Sequence, residues 1–148
     1  MSSRYDAPAE SPGFLLWHTA LRWQRLMTSV LAKHGLTHVQ FVLLASLWWL
    51  TDHGGPPSQR QLADHAGTNI MMTSQVLREI EIRGHIIRES DPSDARTKRL
   101  RLTEQGLQVV LAALPDVEDA DQDFLLVVSN LVCFTESLKE LTNQRECE

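Results

Sequence analysis

The chain has 148 residues, enough for one domain with a buried core, and its 43% hydrophobic and 22% charged content is that of a soluble globular protein. The apolar run at residues 41–50 is too short to span a bilayer, and two cysteines, Cys133 and Cys147, are too few for a disulfide framework. A formal charge of −5 excludes a chain that is basic overall.

The distribution of charge says more than its sum. Residues 58–103 hold eight Lys/Arg against six Asp/Glu, and the remainder holds six against thirteen. An acidic body with a mildly basic middle is compatible with docking one face on a polyanion. The N-terminus has one Arg and then Asp, Pro, Glu and Pro before any apolar segment, unlike a secretory signal, so a cytoplasmic protein is expected. Cys133 lies among Leu131, Val132 and Phe134, where a buried structural thiol is expected.

Residues 1–13 contain Pro8, Pro12, Gly13 and several serines and are expected to form a flexible arm. Residues 14–34 then form a long helix with two apolar tracks, one through Trp17, Leu21 and Leu31 and one through Leu16, Trp23, Met27 and Val30. Two tracks make a wider apolar surface than one neighbour within a small domain needs. Gly35 ends the helix as its C′ residue. Thr37-His38-Val39-Gln40 is a capping box that opens a second helix through Leu50. This helix is apolar nearly all round, which makes it the expected centre of the fold, and Gly54-Gly55-Pro56-Pro57 breaks it.

Ser58-Gln59-Arg60-Gln61 is a second capping box, starting a short helix with Leu62, Ala63 and Ala66 inward and ending at Gly67. Thr68 is the expected N-cap of the next helix, which runs to Arg83 and stops at Gly84. Two short helices joined by a tight Gly-containing turn make a helix-turn-helix candidate. At 100° per residue, Thr73, Val76, Leu77 and Ile80 fall within about 100° of arc and form the core face of the second. Met71, Ser74, Gln75 and Arg78 lie nearly opposite. Gln and Arg can pair bidentately with adenine and guanine edges, and Ser can bond a base or a phosphate. The same positions also fit an ordinary solvated face. Met71 either meets a thymine methyl or packs under the helix N-terminus.

Residues 84–106 predict a β-hairpin. Ile86-Ile87 and Leu100-Arg101-Leu102 are short strands around the turn Ser90-Asp91-Pro92-Ser93-Asp94, and Arg96, Lys98, Arg99 and Arg101 form a basic arm. Thr103 caps a further helix through Leu107, Val110, Leu111 and Leu114 towards residues 124–128, with Pro115 expected to kink or interrupt it. Ser129 is the expected cap of a last helix presenting Leu131, Phe134, Leu138 and Leu141 on one face. The fold class is therefore mainly α with a small β-hairpin. A helix-turn-helix followed at once by a hairpin with a basic arm is a winged helix-turn-helix, in which one helix enters the major groove and the hairpin reaches the backbone or an adjacent minor groove.

The sequence also resembles the multiple-antibiotic-resistance regulator (MarR) family of bacteria and archaea over roughly residues 14–143. The resemblance rests on Gly35-Leu36-Thr37 with Gln40, Gln61-Leu62-Ala63, and Arg83-Gly84 with Ile86 and Arg88. Its most specific part is Asp91-Pro92-Ser93-Asp94-Ala95-Arg96 followed by Leu102-Thr103-Glu104-Gln105-Gly106. The resemblance implies a homodimer built from helices at 14–36 and 104–143, a DNA-binding lobe at 37–103, and a tail at 144–148. It implies binding to double-stranded DNA at a pseudo-palindromic operator, usually with repression, and often release by a small aromatic or phenolic ligand. Two-fold symmetry would place two recognition helices in successive major grooves about 34 Å apart. Arg96 would be the wing-tip arginine in the minor groove, and Asp94 would hold the wing's shape, an arginine being one candidate partner. Ser74, Gln75 and Arg78 fall where the family reads bases. Ser58, Thr68, Asn69, Met71, Arg88, Lys98 and Arg99 complete the expected DNA contacts. Ala95 stands where many members have a second arginine, Glu89 stands at an often basic position, and Met71 and Met72 are unusual at the start of a recognition helix.

The family's pocket lies between the dimerisation helices and the DNA-binding lobe. Trp17, His18, Arg22 and Trp48 are the candidate ligand residues, with His18 and Arg22 at i, i+4 able to meet an anion. Four Trp at helical spacing, Trp17, Trp23, Trp48 and Trp49, are nevertheless more often core than a ligand platform, and His18 with Arg22 is more often a solvated pair. His34 and His38 straddle a helix break, while His18, His53, His65 and His85 are scattered, so no metal site and no cofactor are expected. The sequence shows no nucleophile–base pairing, no phosphate-binding Gly loop and no metal motif, so an enzyme is not expected. The alternatives are a winged-helix module that binds protein rather than DNA, or a metal-responsive member of the same family.

Overall fold

The computed structural model describes residues 4–143, so the tail at 144–148, with Cys147, lies outside the described residues. In chain order the elements are α1 (Pro12–Ala32), α2 (His38–Gly54), α3 (Gln59–Ala66), α4 (Ile70–Ile82), β1 (Ile86–Ser90), β2 (Lys98–Leu102), α5 (Glu104–Leu125) and α6 (Leu131–Thr142). The architecture is mainly helical with one antiparallel hairpin, as the sequence implies.

Helix α1 begins at Pro12, inside the stretch read from the sequence as an arm. Pro8–Glu10 form a single 3-10 turn, and Ser11 caps α1 by accepting from the Phe14 amide at 3.4 Å. Gly35, at φ +68°, closes the other end of α1, and the Leu36 amide bonds back to the Leu31 carbonyl at 3.2 Å. Only the C-terminal half of α1 enters the core, through Met27 and Leu31. Leu16 and Trp17 near its start stay exposed, Trp17 to 63%.

Helix α2 is the centre. Its Thr37–Gln40 capping box is formed in both directions, and Phe41, Leu43, Leu44 and Leu47 are buried against residues of α1, α3, α4, the hairpin and α5. Buried Gln40 does a second job, because its Oε1 also accepts from Arg83 Nη1 at 3.2 Å and so ties the start of α2 to the end of α4.

The hairpin pairs Ile86 with Leu102, Ile87 with Arg101, Arg88 with Leu100, Glu89 with Arg99 and Ser90 with Lys98. Ile86 and Leu100 are buried, and the Leu100 amide donates to the Pro57 carbonyl at 2.9 Å, so the chain before α3 acts as a short third strand.

Four local expectations are corrected. Asn69, not Thr68, is the N-cap of α4, accepting from the Met72 amide at 2.7 Å. Asn130, not Ser129, caps α6 through the Cys133 amide at 3.0 Å. Pro115 was expected to kink or interrupt α5, and it does not interrupt it: the helix is continuous through Pro115, which is exposed, as is Leu111, whose carbonyl loses its N–H partner. Cys133 is exposed, because α6 buries none of its residues within the protomer.

The junction of α4, the hairpin and α5 is the tightest backbone approach. Thr103 donates its hydroxyl to the Gly84 carbonyl at 2.6 Å and its amide to the His85 carbonyl at 3.0 Å, and its hydroxyl accepts from the Gly106 amide at 3.0 Å. A Cβ on Gly106 would overlap the His85 carbonyl. Gly106→Ala is therefore expected to lower stability by at least about 1–3 kcal/mol. Urea denaturation of both proteins at equal protomer concentration measures this.

Candidate nucleic-acid interface

Helices α3 and α4 meet at a turn that Gly67 makes by adopting φ +69°. The Thr73 hydroxyl donates to the Asn69 carbonyl at 2.7 Å, so Thr68 is the donor in the 2.7 Å bond between the two threonine hydroxyls. Thr68 therefore braces the turn from inside while Asn69 caps α4. These bonds fix the direction in which α4 projects.

Thr73, Val76, Leu77 and Ile80 are the buried residues of α4, the four that helical geometry selects. Gln75 and Arg78 are exposed on the other side, with Ser74 half-buried beside them. Arg78 Nη2 donates to Ser74 Oγ at 3.2 Å, which orients the guanidinium along the helix. Met71 is 85% exposed and does not pack under the helix N-terminus.

The wing sorts its cations by what they already hold. Arg88 donates to Glu81 at 3.1 Å and to Gln59 at 2.9 Å, joining β1 to α4 and α3. Arg99 donates to Asp91 at 2.7 Å and to Gln61 at 3.0 Å, joining the wing to α3. Arg101 is paired with Glu89 at 2.6 Å. Lys98 donates only to Ser90 Oγ, at 2.9 Å, and the Arg96 side chain has no ion pair among the described residues. Asp94 shapes the tip by accepting from the Arg96 amide at 3.0 Å and the Thr97 hydroxyl at 3.2 Å; its partners are these groups and not an arginine side chain.

Of the sequence candidates, Met71, Ser74, Gln75 and Arg78 share one face of α4, and Arg96 and Lys98 stand at the wing. Ser58, Thr68, Asn69, Arg88 and Arg99 are engaged in caps, turns and internal pairs. Sequence reading missed Gln59, Glu81, Gln61 and Asp91, the groups that hold Arg88 and Arg99. It also passed over Arg60, exposed on the first turn of α3. An Asp-x-Ser spacing at the tip was the available signal for Asp91, since that spacing favours an Asx turn.

The ligand candidates are not brought together within the protomer. Trp17, His18 and Arg22 are exposed on α1, where His18 makes an edge contact with Phe14 at 4.4 Å. Trp48 lines a separate open crevice of about 330 Å³ with Thr51, Asp52, Arg101, Glu104 and Leu107. Among the described residues no three His, Cys, Asp or Glu side chains converge as metal ligands. No helix of the described residues is long and apolar enough to cross a membrane.

Asp91 is the most perturbed carboxylate. Hydrogen bonds from the Ser93 hydroxyl and amide, and then from Arg99, lower its pKa to about 2. Its bonds are thus complete above the ordinary carboxylate range, and any stability they give the wing fades only as pH falls towards 2. An NMR titration should find the Asp91 midpoint near 2. Arg99→Gln should raise that midpoint but leave it below the ordinary carboxylate value, because both Ser93 bonds remain.

A model of the MarR family matches residues 36–98. The chain is 45% identical over 139 residues to the uncharacterized HTH-type transcriptional regulator YdcH of Bacillus subtilis, covering 94% of this chain and 95% of that protein. Among solved structures, CouR from Rhodococcus jostii RHA1 bound to p-coumaroyl-CoA superposes with a TM-score of 0.82 at 23% identity, covering 97% of this chain and all of that one. BpsR of Bordetella bronchiseptica, whose DNA binding is regulated by 6-hydroxynicotinic acid, gives 0.85 at 21% identity with the same coverage. A complex of CouR with a 23-mer DNA duplex gives 0.77 at 25% identity, covering 95% of this chain and 97% of that one.

Proposed function

The chain belongs to the MarR family of winged helix-turn-helix transcriptional regulators, and from that premise we propose that it is a homodimeric, sequence-specific DNA-binding repressor released by a small aromatic ligand. The observation that carries the DNA reading is the sorting of cations on one lobe. Arg88, Arg99 and Arg101 are held by internal acids, while Arg78 on α4, Arg96 at the wing tip, Lys98 and Arg60 have no ion pair among the described residues. These groups are placed to meet a groove and its phosphates without first breaking a salt bridge. CouR bound to duplex DNA, at a similar fold, supports the same use of the lobe.

Dimerisation is supported by the apolar surface that one protomer leaves open. Leu131, Val132, Leu138 and Leu141 on α6 are exposed, as are Leu16 and Trp17 on α1. A second copy would bury these faces and carry a second α4 to the next major groove. Release by an aromatic ligand is supported by the two relatives described with p-coumaroyl-CoA and 6-hydroxynicotinic acid. The crevice beside Trp48, at the base of the wing, offers an indole against which an aromatic ring could pack.

Affinity for the operator is expected to fall about 10³-fold between 50 and 200 mM salt, the loss for about six phosphate contacts per dimer. Retention that ignores salt, or no retention at low salt, would overturn the DNA-binding reading. In fluorescence anisotropy, Arg96→Ala should weaken binding by about tenfold or more with an unchanged melting temperature. Arg88→Ala should do the reverse, lowering stability by about 1 kcal/mol through the loss of Glu81 and Gln59. An aromatic acid that releases DNA should quench tryptophan fluorescence, and Trp48→Phe should remove most of that quench.

A further inference from the structure

We propose that Met71 is a specificity-determining residue that reads the 5-methyl group of thymine in the major groove. The inference rests on the DNA-binding reading above and adds the chemistry of one base contact. Recognition helices of this class meet base edges with their N-terminal residues, and Met71 is the second residue of α4. It is 85% exposed, although an unbranched thioether side chain normally fills a core gap.

Its place on the helix points outward with the other base-reading candidates. Met71, Gln75 and Arg78 are spaced i, i+4 and i+7, one stripe that rises about 10 Å from first to last. The opposite stripe is sealed in the core by Thr73, Val76, Leu77 and Ile80, so the helix cannot roll to hide Met71. The Asn69 cap at the Met72 amide fixes the first turn and hence the direction of the side chain. Ile70, also exposed, widens the apolar tip beside it.

The major groove offers mostly polar edges, and the thymine methyl is its one apolar feature on unmodified DNA. An apolar side chain pressed against guanine or cytosine edges would desolvate donors and acceptors without replacing their bonds. Gln75 and Arg78 have matching polar partners in adenine and guanine, whereas Met71 has only the methyl. A half-site should therefore carry a thymine within a few base pairs of the adenine or guanine read by Gln75 and Arg78.

The test begins with selection of bound sequences from random DNA using the full-length protein, followed by replacement of each selected thymine with deoxyuridine. That change deletes only the methyl. One or two positions per half-site are expected to lose about fourfold in affinity each, the effect of exposing one methyl-sized apolar group. Met71→Ala, at an exposed helical position where Ala is well tolerated, should abolish the thymine–uracil difference while leaving the salt dependence intact. Equal affinity for thymine and uracil at every position would overturn the inference, as would a difference that persists undiminished in Met71→Ala. Failure to retain any DNA at low salt is a separate outcome, because it overturns the DNA-binding reading itself and this inference with it.

Discussion

The contact on which the rest depends is the approach of Gly106 to the His85 backbone. At that point the first turn of α5 lies so close to the turn between α4 and β1 that no side chain fits at residue 106. Thr103 makes the approach possible. Its hydroxyl bonds Gly84 and caps α5, while its amide bonds His85, so one residue joins three elements. The His85 side chain is 4% exposed and its Nδ1 has no partner among the described residues. Burial, and then nearby Arg83, push its pKa down, in favour of the neutral ring. The spacing from Leu102-Thr103 to Gly106 is thus a record of geometry rather than of composition.

Charge on the lobe is arranged by subtraction. The basic run looks uniform in the sequence, yet three of the arginines in and around it are held by Glu81, Asp91 and Glu89. Two of those arginines also reach glutamines on α3, which turns them into braces between the wing and the helix-turn-helix. Exposed ion pairs of this kind contribute little stability each. Their larger effect is on position, since they fix where the wing stands relative to α3. Glu89 illustrates this, because an acid at an often basic position looks unfavourable for DNA until its bond to Arg101 is seen.

What could be read in advance were the features fixed by local geometry. Both capping boxes formed, with Thr37 paired to Gln40 and Ser58 to Gln61, because each needs only four consecutive residues. The core face of α4 followed from helical periodicity alone. The caps of α4 and α6 were each misplaced by one residue, at Thr68-Asn69 and Ser129-Asn130. Both members of each pair can cap, and only the backbone path decides between them. The partners of Arg88 and Arg99 were hidden because they come from other elements. Cys133 was misjudged because an apolar helix was assumed to be covered by its own chain, whereas α6 buries nothing within the protomer. Trp17, His18, Arg22 and Trp48 are separated for a related reason, as the first three face outward from α1 and Trp48 faces the hairpin.

The two faces of α4 explain how such a lobe can change its target without changing its fold. Stability is carried by Thr73, Val76, Leu77 and Ile80, which pack against α2 and the hairpin and are insensitive to what lies opposite. On the exposed stripe the one side-chain bond among the described residues is Arg78 to Ser74, within the helix itself. Substitutions on that stripe therefore have small effects on folding, since exposed positions away from caps and cores usually shift stability by no more than about 0.5 kcal/mol. Phosphate attraction is indifferent to sequence, so under the function proposed above affinity and specificity would rest largely on different side chains. On the function proposed above, Lys98 would meet phosphates on any duplex, Arg96 would enter the minor groove at the wing tip, and most of the half-site would be read from one side of α4.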